Sequence, residues 1–223
     1  MLIIICGPSG AGKSELSKAL TTYENMKEVV SYTTRSPRIG EKQGEDYYFV
    51  NNEVFSSMIE DKKFCEYEEY SQNRLYGTAK ADVIQAAKSS DFYSVVMTPN
   101  GVRAIEKTLS ENNVPVSSYL KVMIDASLGV RVKRYIDRVK ADRFNFDDMN
   151  EINARVNRDF GMFLNMDKYC DLVLDNSADY RYDTSITVNA MKLLAEQVRT
   201  TFELHYEIET HVSDYQEDSE RDW

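Results

Sequence analysis

Five apolar residues, Leu2–Cys6, run without a break into Gly7-Pro8-Ser9-Gly10-Ala11-Gly12-Lys13-Ser14, and a helical pattern follows at once. No other stretch limits the fold as much. A strand with no polar alternation is covered on both faces, which places it inside a parallel sheet rather than at a solvated surface. The glycines let the next turn fold tightly enough for successive N–H groups to point inward at phosphates. A helix beginning near Lys13 adds its positive dipole end. The Lys13 ammonium then reaches the β- and γ-phosphates of a nucleoside triphosphate, and the Ser14 hydroxyl suits Mg²⁺. Gly7, Pro8, Ser9, Gly10, Ala11, Gly12, Lys13 and Ser14 are therefore the expected donor-nucleotide loop, with Ser14 the metal ligand.

Farther along, short apolar runs alternate with helical patterns. Strands are expected at Leu2–Cys6, Val29–Tyr32, Phe92–Met97, Tyr119–Ile124 and Leu172–Leu174. Helices are expected at Lys13–Leu20, Gly101–Ser110, Leu128–Val139, Met149–Met166 and Tyr180–Tyr206. That rhythm predicts an α/β P-loop kinase fold: a parallel sheet core flanked by helices. Two stretches break it. Residues 33–87 hold turn signals (Pro37, Gly40, Gly44) and strand patterns at Tyr47–Val50, Phe64–Tyr70 and Leu75–Thr78, so they form an inserted mixed-strand lobe. Lys140 to Asn150 carries both charge signs between two helices and reads as the tip of a helical lid. The expected division is a core of 1–32, 88–133 and 157–210, an acceptor lobe of 33–87, a lid of 134–156 and an acidic, flexible tail of 211–223.

Charge and cysteine usage exclude several classes. The chain carries 27 basic and 37 acidic residues, and an acidic chain repels nucleic-acid backbones. The last twenty-one residues hold eight acids against Arg221 alone, so a local basic pocket must do any phosphate binding. Cys6, Cys65 and Cys170 are odd in number, widely spaced and free of C-x-x-C, which suits a reducing cytoplasm better than a disulfide or zinc framework. Leu2–Cys6 has no basic flank and is too short for a signal peptide or membrane span. The chain is expected to be cytoplasmic, a monomer or homodimer, with neither membrane nor nucleic acid as partner.

The lobe supplies the second substrate. Ser31-Tyr32-Thr33-Thr34-Arg35-Ser36-Pro37-Arg38-Ile39-Gly40-Glu41, then Gly44-Glu45-Asp46-Tyr47-Tyr48-Phe49-Val50, Phe64-Cys65-Glu66-Tyr67 and Leu75-Tyr76-Gly77-Thr78, resembles the nucleotide-binding lobe of guanylate kinases. Arg35 and Arg38, with Pro37 stiffening the turn between them, can fork onto a phosphate dianion. The resemblance implies that Arg35 and Arg38 hold the phosphate of GMP or dGMP, with Tyr47 and Tyr76 donating hydroxyls. It gives Glu66 the guanine N1–H and N2–H₂ donors, and Ser31 and Thr78 the O6 edge. It further implies ATP as donor and Mg²⁺ as cofactor.

Ile152-Asn153-Ala154-Arg155-Val156 resembles the lid helix of the same family. Phosphoryl transfer needs cations around the γ-phosphate and little covalent chemistry, so Arg134, Arg138 and Arg155 join Lys13 as the expected catalytic residues. The competing use of these arginines is ion pairing with Asp137, Asp142 and Asp159. In two places the chain departs from the family. The lid tip reads Lys140-Ala141-Asp142-Arg143-Phe144-Asn145 rather than a glycine and glutamate run. After the strand at Phe92–Met97 the family carries acidic residues before a glycine, whereas this chain has Thr98-Pro99-Asn100-Gly101. Asp125 is the candidate substitute. Two other functions stay open on the sequence: a P-loop kinase for another nucleoside monophosphate or a ribose phosphate, and a catalytically weak guanylate kinase-like binding module.

Overall fold

The apolar run Leu2–Cys6 forms the central strand β1, with all five side chains fully buried. The structure, a computed structural model, describes residues 1–38, 40–70, 74–139, 146–178 and 189–204. Alternate side chains of β1 leave on opposite faces, as the period of a strand requires. Leu2, Ile4 and Cys6 pack with Val102, Ile105 and Leu109 on one side. Ile3 and Ile5 pack with Leu16, Leu20, Val198 and Phe202 on the other.

After β1, α1 (Lys13–Tyr23) leads to β2 (Lys27–Glu28), β3 (Tyr32–Thr33), β4 (Tyr48–Phe49) and α2 (Asn52–Glu60). The hairpin β5 (Phe64–Tyr70) and β6 (Arg74–Ala79) precedes α3 (Lys80–Lys88), β7 (Tyr93–Val96) and α4 (Pro99–Glu111). Then come β8 (Tyr119–Asp125), α5 (Leu128–Val139), α6 (Phe146–Met162), α7 (Met166–Tyr169) and β9 (Leu172–Asp175). A last helix, α8, occupies 189–204. Among the described residues one sheet runs β2-β7-β1-β8-β9 with every pairing parallel. A second runs β4-β3-β6-β5, with β3 and β4 parallel and the other pairs antiparallel. The parallel core and mixed lobe expected from the sequence are both present.

Three local expectations change. Val29–Tyr32 is not one core strand. Val29 still donates to the Ser94 carbonyl at 2.8 Å, continuing β2 along β7, but Tyr32 and Thr33 pair with β6 in the lobe sheet. The run passes from one sheet to the other, and a short apolar pattern does not reveal which neighbour takes it. The lobe also holds helices that turn signals concealed. Asn51 caps α2 by accepting from the Val54 amide at 2.8 Å, and Val83, Ala86 and Ala87 of α3 join the core cluster around Leu2 and Ile4. α3 thus spans the division expected at 87/88. Finally, the helix expected to reach Met166 ends at Met162. Asn165 takes a left-handed conformation (φ 62°) and starts α7.

Met191, Ala195, Val198 and Phe202 of α8 lie at helical spacing and close the second core face, so the described part of the C-terminal pattern behaves as expected. The lid tip 140–145 and the tail 211–223 lie outside the described residues. Among the described residues no helix is long and apolar enough to cross a membrane.

Candidate active site

Between the carboxyl ends of the core strands and the lobe sheet lies a cavity of about 580 Å³. Gly7, Ser9, Lys13 and Ser14 line one side. Ser31, Arg35, Arg38, Tyr47, Glu66, Tyr76 and Thr78 line another, so the structure brings the seven expected acceptor residues and four of the expected loop residues to one space.

The phosphate loop is held by close packing. A Cβ on Gly7 would lie 2.1 Å from the Ile124 carbonyl oxygen, so only glycine lets the loop leave β1 beside β8. Gly12 caps α1 with φ 109°, and a Cβ there would stand 2.5 Å from Asn176 Nδ2. That amide donates to the Ala11 carbonyl at 2.8 Å, fixing the loop from behind. Gly12→Ala is therefore expected to combine a left-handed backbone penalty of about 1–3 kcal/mol with a direct clash. A melting temperature lower by several degrees, measured by calorimetry together with lost nucleotide affinity, is the expected outcome. Lys13 Nζ donates to the Gly7 and Pro8 carbonyls at 2.7 and 3.2 Å, folded over the loop mouth.

The lid arginines separate. Arg155 lines the cavity, stacked over the Tyr135 ring at 5.3 Å with its Nε donating to Glu151 at 3.0 Å. Arg134 lies behind the loop instead, donating to the carbonyls of Gly10, Ala11 and Asn176 at 3.1, 3.3 and 2.8 Å. The reason is geometric: a loop that turns its N–H groups inward turns carbonyls outward, and these need donors. The Arg138 side chain lies outside the described residues. Arg158 and Asp159 also line the cavity, and the sequence reading gave neither a role in binding. Asp159 is 5% exposed and accepts from the Ser9 amide at 2.7 Å, so an acid from α6 sits on the phosphate loop itself. Arg131 joins it, with Nε donating to the Ser9 carbonyl at 3.1 Å. Asn176, Arg131 and Asp159 are reached only through tertiary packing, and no motif marks them.

In the lobe, Arg35 is buried and makes a two-pronged contact with Glu41 at 2.8 and 2.9 Å, while its Nε donates to the Tyr76 hydroxyl at 3.2 Å. Glu41 also accepts from the Arg38 amide at 2.7 Å. The Arg35 guanidinium, aided by that amide, holds the Glu41 carboxyl down at about 2. An arginine kept in a fork by an acid is oriented before any phosphate arrives. The Ser31 hydroxyl, just before β3, and the Thr78 hydroxyl of β6 meet at 3.0 Å. Burial, and then the charge of Glu68, push the Glu66 carboxyl up to about 7.

Asp125 does not fill the place left by Thr98. Its Oδ1 accepts from the Ala126 amide at 2.7 Å and stands 4.0 Å from Arg131. A carboxylate nevertheless reaches Thr98 from another strand, because Thr98 Oγ1 donates to Glu68 Oε1 at 3.1 Å. For Mg²⁺, Ser14 opens into the cavity, and among the described residues no three His, Cys, Asp or Glu side chains cluster. That donor set fits a largely hydrated ion held by one hydroxyl and substrate phosphates, not an all-protein cage.

Residues 1–177, which include the phosphate loop, the lobe and the lid, match the family model described as guanylate kinase. A guanylate kinase of Wigglesworthia glossinidia brevipalpis is 32% identical over 197 residues, covering 87% of this chain and 86% of the relative. One of Sus scrofa is 44% identical over 108 residues, 48% of this chain and 54% of its own length. The chain spans little more than half the length of the first curated relatives it matches, 59% for the guanylate kinase of Synechococcus elongatus. The crystal structure of guanylate kinase from Anaplasma phagocytophilum shares the fold, with TM-score 0.55 and 20% identity over 90% of this chain and 88% of that one. With the family model matched through phosphate loop, lobe and lid, and one relative matched along most of both chains, this chain belongs to the guanylate kinase family.

Proposed function

We propose that the chain transfers the γ-phosphate of ATP to GMP or dGMP, giving ADP and the corresponding diphosphate. One observation carries the reading: Gly7, Ser9, Lys13 and Ser14 of the phosphate loop and a half-buried carboxylate suited to guanine, Glu66, face the same cavity. Lys13 turns from the Gly7 and Pro8 carbonyls to the β- and γ-phosphates, and the loop amides take the remaining oxygens. Ser14 would hold Mg²⁺, which neutralises charge on the transferring group. Arg35, Arg38, Tyr47 and Tyr76 orient the acceptor phosphate in line, and Glu66, Ser31 and Thr78 read its base. Arg155 closes from α6, replacing water around the reacting oxygens with a fixed cation. Transfer is direct, with no covalent intermediate.

The cytoplasmic setting is proposed on cysteine usage, with Cys6, Cys65 and Cys170 widely spaced and free of C-x-x-C. The small substrates need neither nucleic acid nor membrane, and a monomer or homodimer suffices. The test is ADP formation from ATP and Mg²⁺ against a panel of ribo- and deoxynucleoside monophosphates. Turnover restricted to GMP and dGMP is expected. Preference for AMP, a pyrimidine monophosphate or a ribose phosphate overturns the acceptor, and GMP binding without turnover favours the binding module.

A further inference from the structure

Strand β5 places two carboxylates in the acceptor cavity. Glu66 and Glu68 are two residues apart, so they leave the same face, and both are half-buried, while Tyr67 and Glu69 between and beyond them are exposed. Both acids converge on the first turn of α4. A Cβ on Gly101 would stand 3.4 Å from the Glu66 carboxyl carbon. Thr98, the cap of that helix, accepts from the Gly101 amide at 3.2 Å and donates its hydroxyl proton to Glu68 at 3.1 Å. The cap thus settles the direction of the second bond: with its lone pair facing the amide, the hydroxyl gives its proton to the carboxylate. One Glu68 oxygen is fixed this way, and the carboxylate as a whole borders the cavity beside Glu66, Ser31 and Thr78.

The charge of Glu68 bears on Glu66, and a ligand that brings hydrogen-bond donors to both carboxylates relieves that repulsion. Guanine presents three N–H hydrogens along one edge: one on N1 and two on N2. A single carboxylate has two oxygens and accepts two of these in parallel. The third needs an acceptor from a neighbouring direction.

We infer that Glu68, held by Thr98, is the second base-reading carboxylate of the acceptor site and takes the guanine 2-amino hydrogen that Glu66 leaves over. The assignment rests on the proposed GMP acceptor. In this chain the carboxylate enters from β5 and reaches the cap of α4 through one hydrogen bond.

The test compares GMP with inosine monophosphate, whose base keeps N1–H and lacks the 2-amino group. Equilibrium binding and kcat/KM are measured for both in the wild type, Glu68→Ala and Glu68→Gln, with melting temperature as the check on folding. The GMP-over-IMP ratio is expected to fall at least about tenfold in both variants, with IMP constants unchanged within about twofold. The acid limb of the GMP pH profile moves to lower pH, because the charge that helps raise Glu66 is gone. Adding Thr98→Asp to Glu68→Ala returns a carboxylate from the other end of the same bond while keeping a capping side chain, and is expected to restore part of the ratio. A parallel loss for GMP and IMP, as a metal or purely structural role would give, overturns the assignment, as does no change in either. Failure of the wild type to bind GMP at all refutes the acceptor itself, which the variants do not decide.

Discussion

Replacing Lys13 by alanine is expected to lower kcat for transfer from ATP to GMP by at least about a thousandfold, because the cation beside the β- and γ-phosphates acts mainly where charge moves. The stability effect is small by comparison. In the free protein the ammonium donates hydrogen bonds to the Gly7 and Pro8 carbonyls, and losing such bonds at a solvent-reachable loop mouth costs about 1 kcal/mol. For a chain of this size that shifts the melting temperature by about 2–4 °C. Single-turnover kinetics beside a thermal melt separate the two. Near-normal turnover in a variant that melts normally would show that the chemistry is carried elsewhere.

Glu66→Gln is the second large effect, and it has a pH signature. An amide in place of the carboxylate turns one acceptor into a donor facing a donor. Loss of a charge-assisted bond of about 1.5–3 kcal/mol, with desolvation added, corresponds to a ten- to thousandfold fall in kcat/KM for GMP. ATP affinity, set by the phosphate loop, is expected to stay within about twofold. Since the free carboxyl sits at about 7 and only its ionised form accepts both guanine hydrogens, wild-type kcat/KM falls as the pH drops below 7. The variant lacks that limb. Stability runs the opposite way. The folded protein holds a proton that the unfolded chain, with its ordinary carboxylate value of 4.5, releases earlier, so stability declines as pH rises from about 4.5 to about 7. Without a titrating group the variant escapes the decline, and its melting temperature should gain on the wild type at pH 8 relative to pH 5. An unchanged GMP preference, or a pH limb that persists in the variant, removes Glu66 from the base site.

What could be read in advance follows from range along the chain. The phosphate loop and β1 are local: eight consecutive residues and one apolar run specify backbone, dipole and burial together. The lobe motif is local in pieces, which is why Arg35, Tyr47, Glu66, Tyr76 and Thr78 meet in one cavity as expected. The brace behind the loop is not. Asn176 touches Ala11 from 165 residues away and Asp159 touches Ser9 from 150, and no spacing rule reaches that far. The position of Arg134 behind the loop is hidden for the same reason, since a helical face shows which arginines lie together but not which side of the loop they meet. Glu68 was hidden by its neighbours: in a run of Glu66, Glu68 and Glu69, only the strand's pleat shows which acids turn inward.

The Asp159 contact has a thermodynamic corollary. Ser9 has one amide proton, and the α6 carboxylate takes it at 2.7 Å. A triphosphate oxygen that claimed the same proton would first have to displace the Asp159 carboxylate of α6, and the work of displacing it would be subtracted from the nucleotide's affinity. Linkage makes the relation symmetrical: whatever presses α6 against the loop weakens the nucleotide, and a bound nucleotide loosens α6 by the same free energy. Arg155 and Arg158 ride on that helix. One amide proton would in that way couple donor occupancy to the position of the two arginines α6 brings to the cavity.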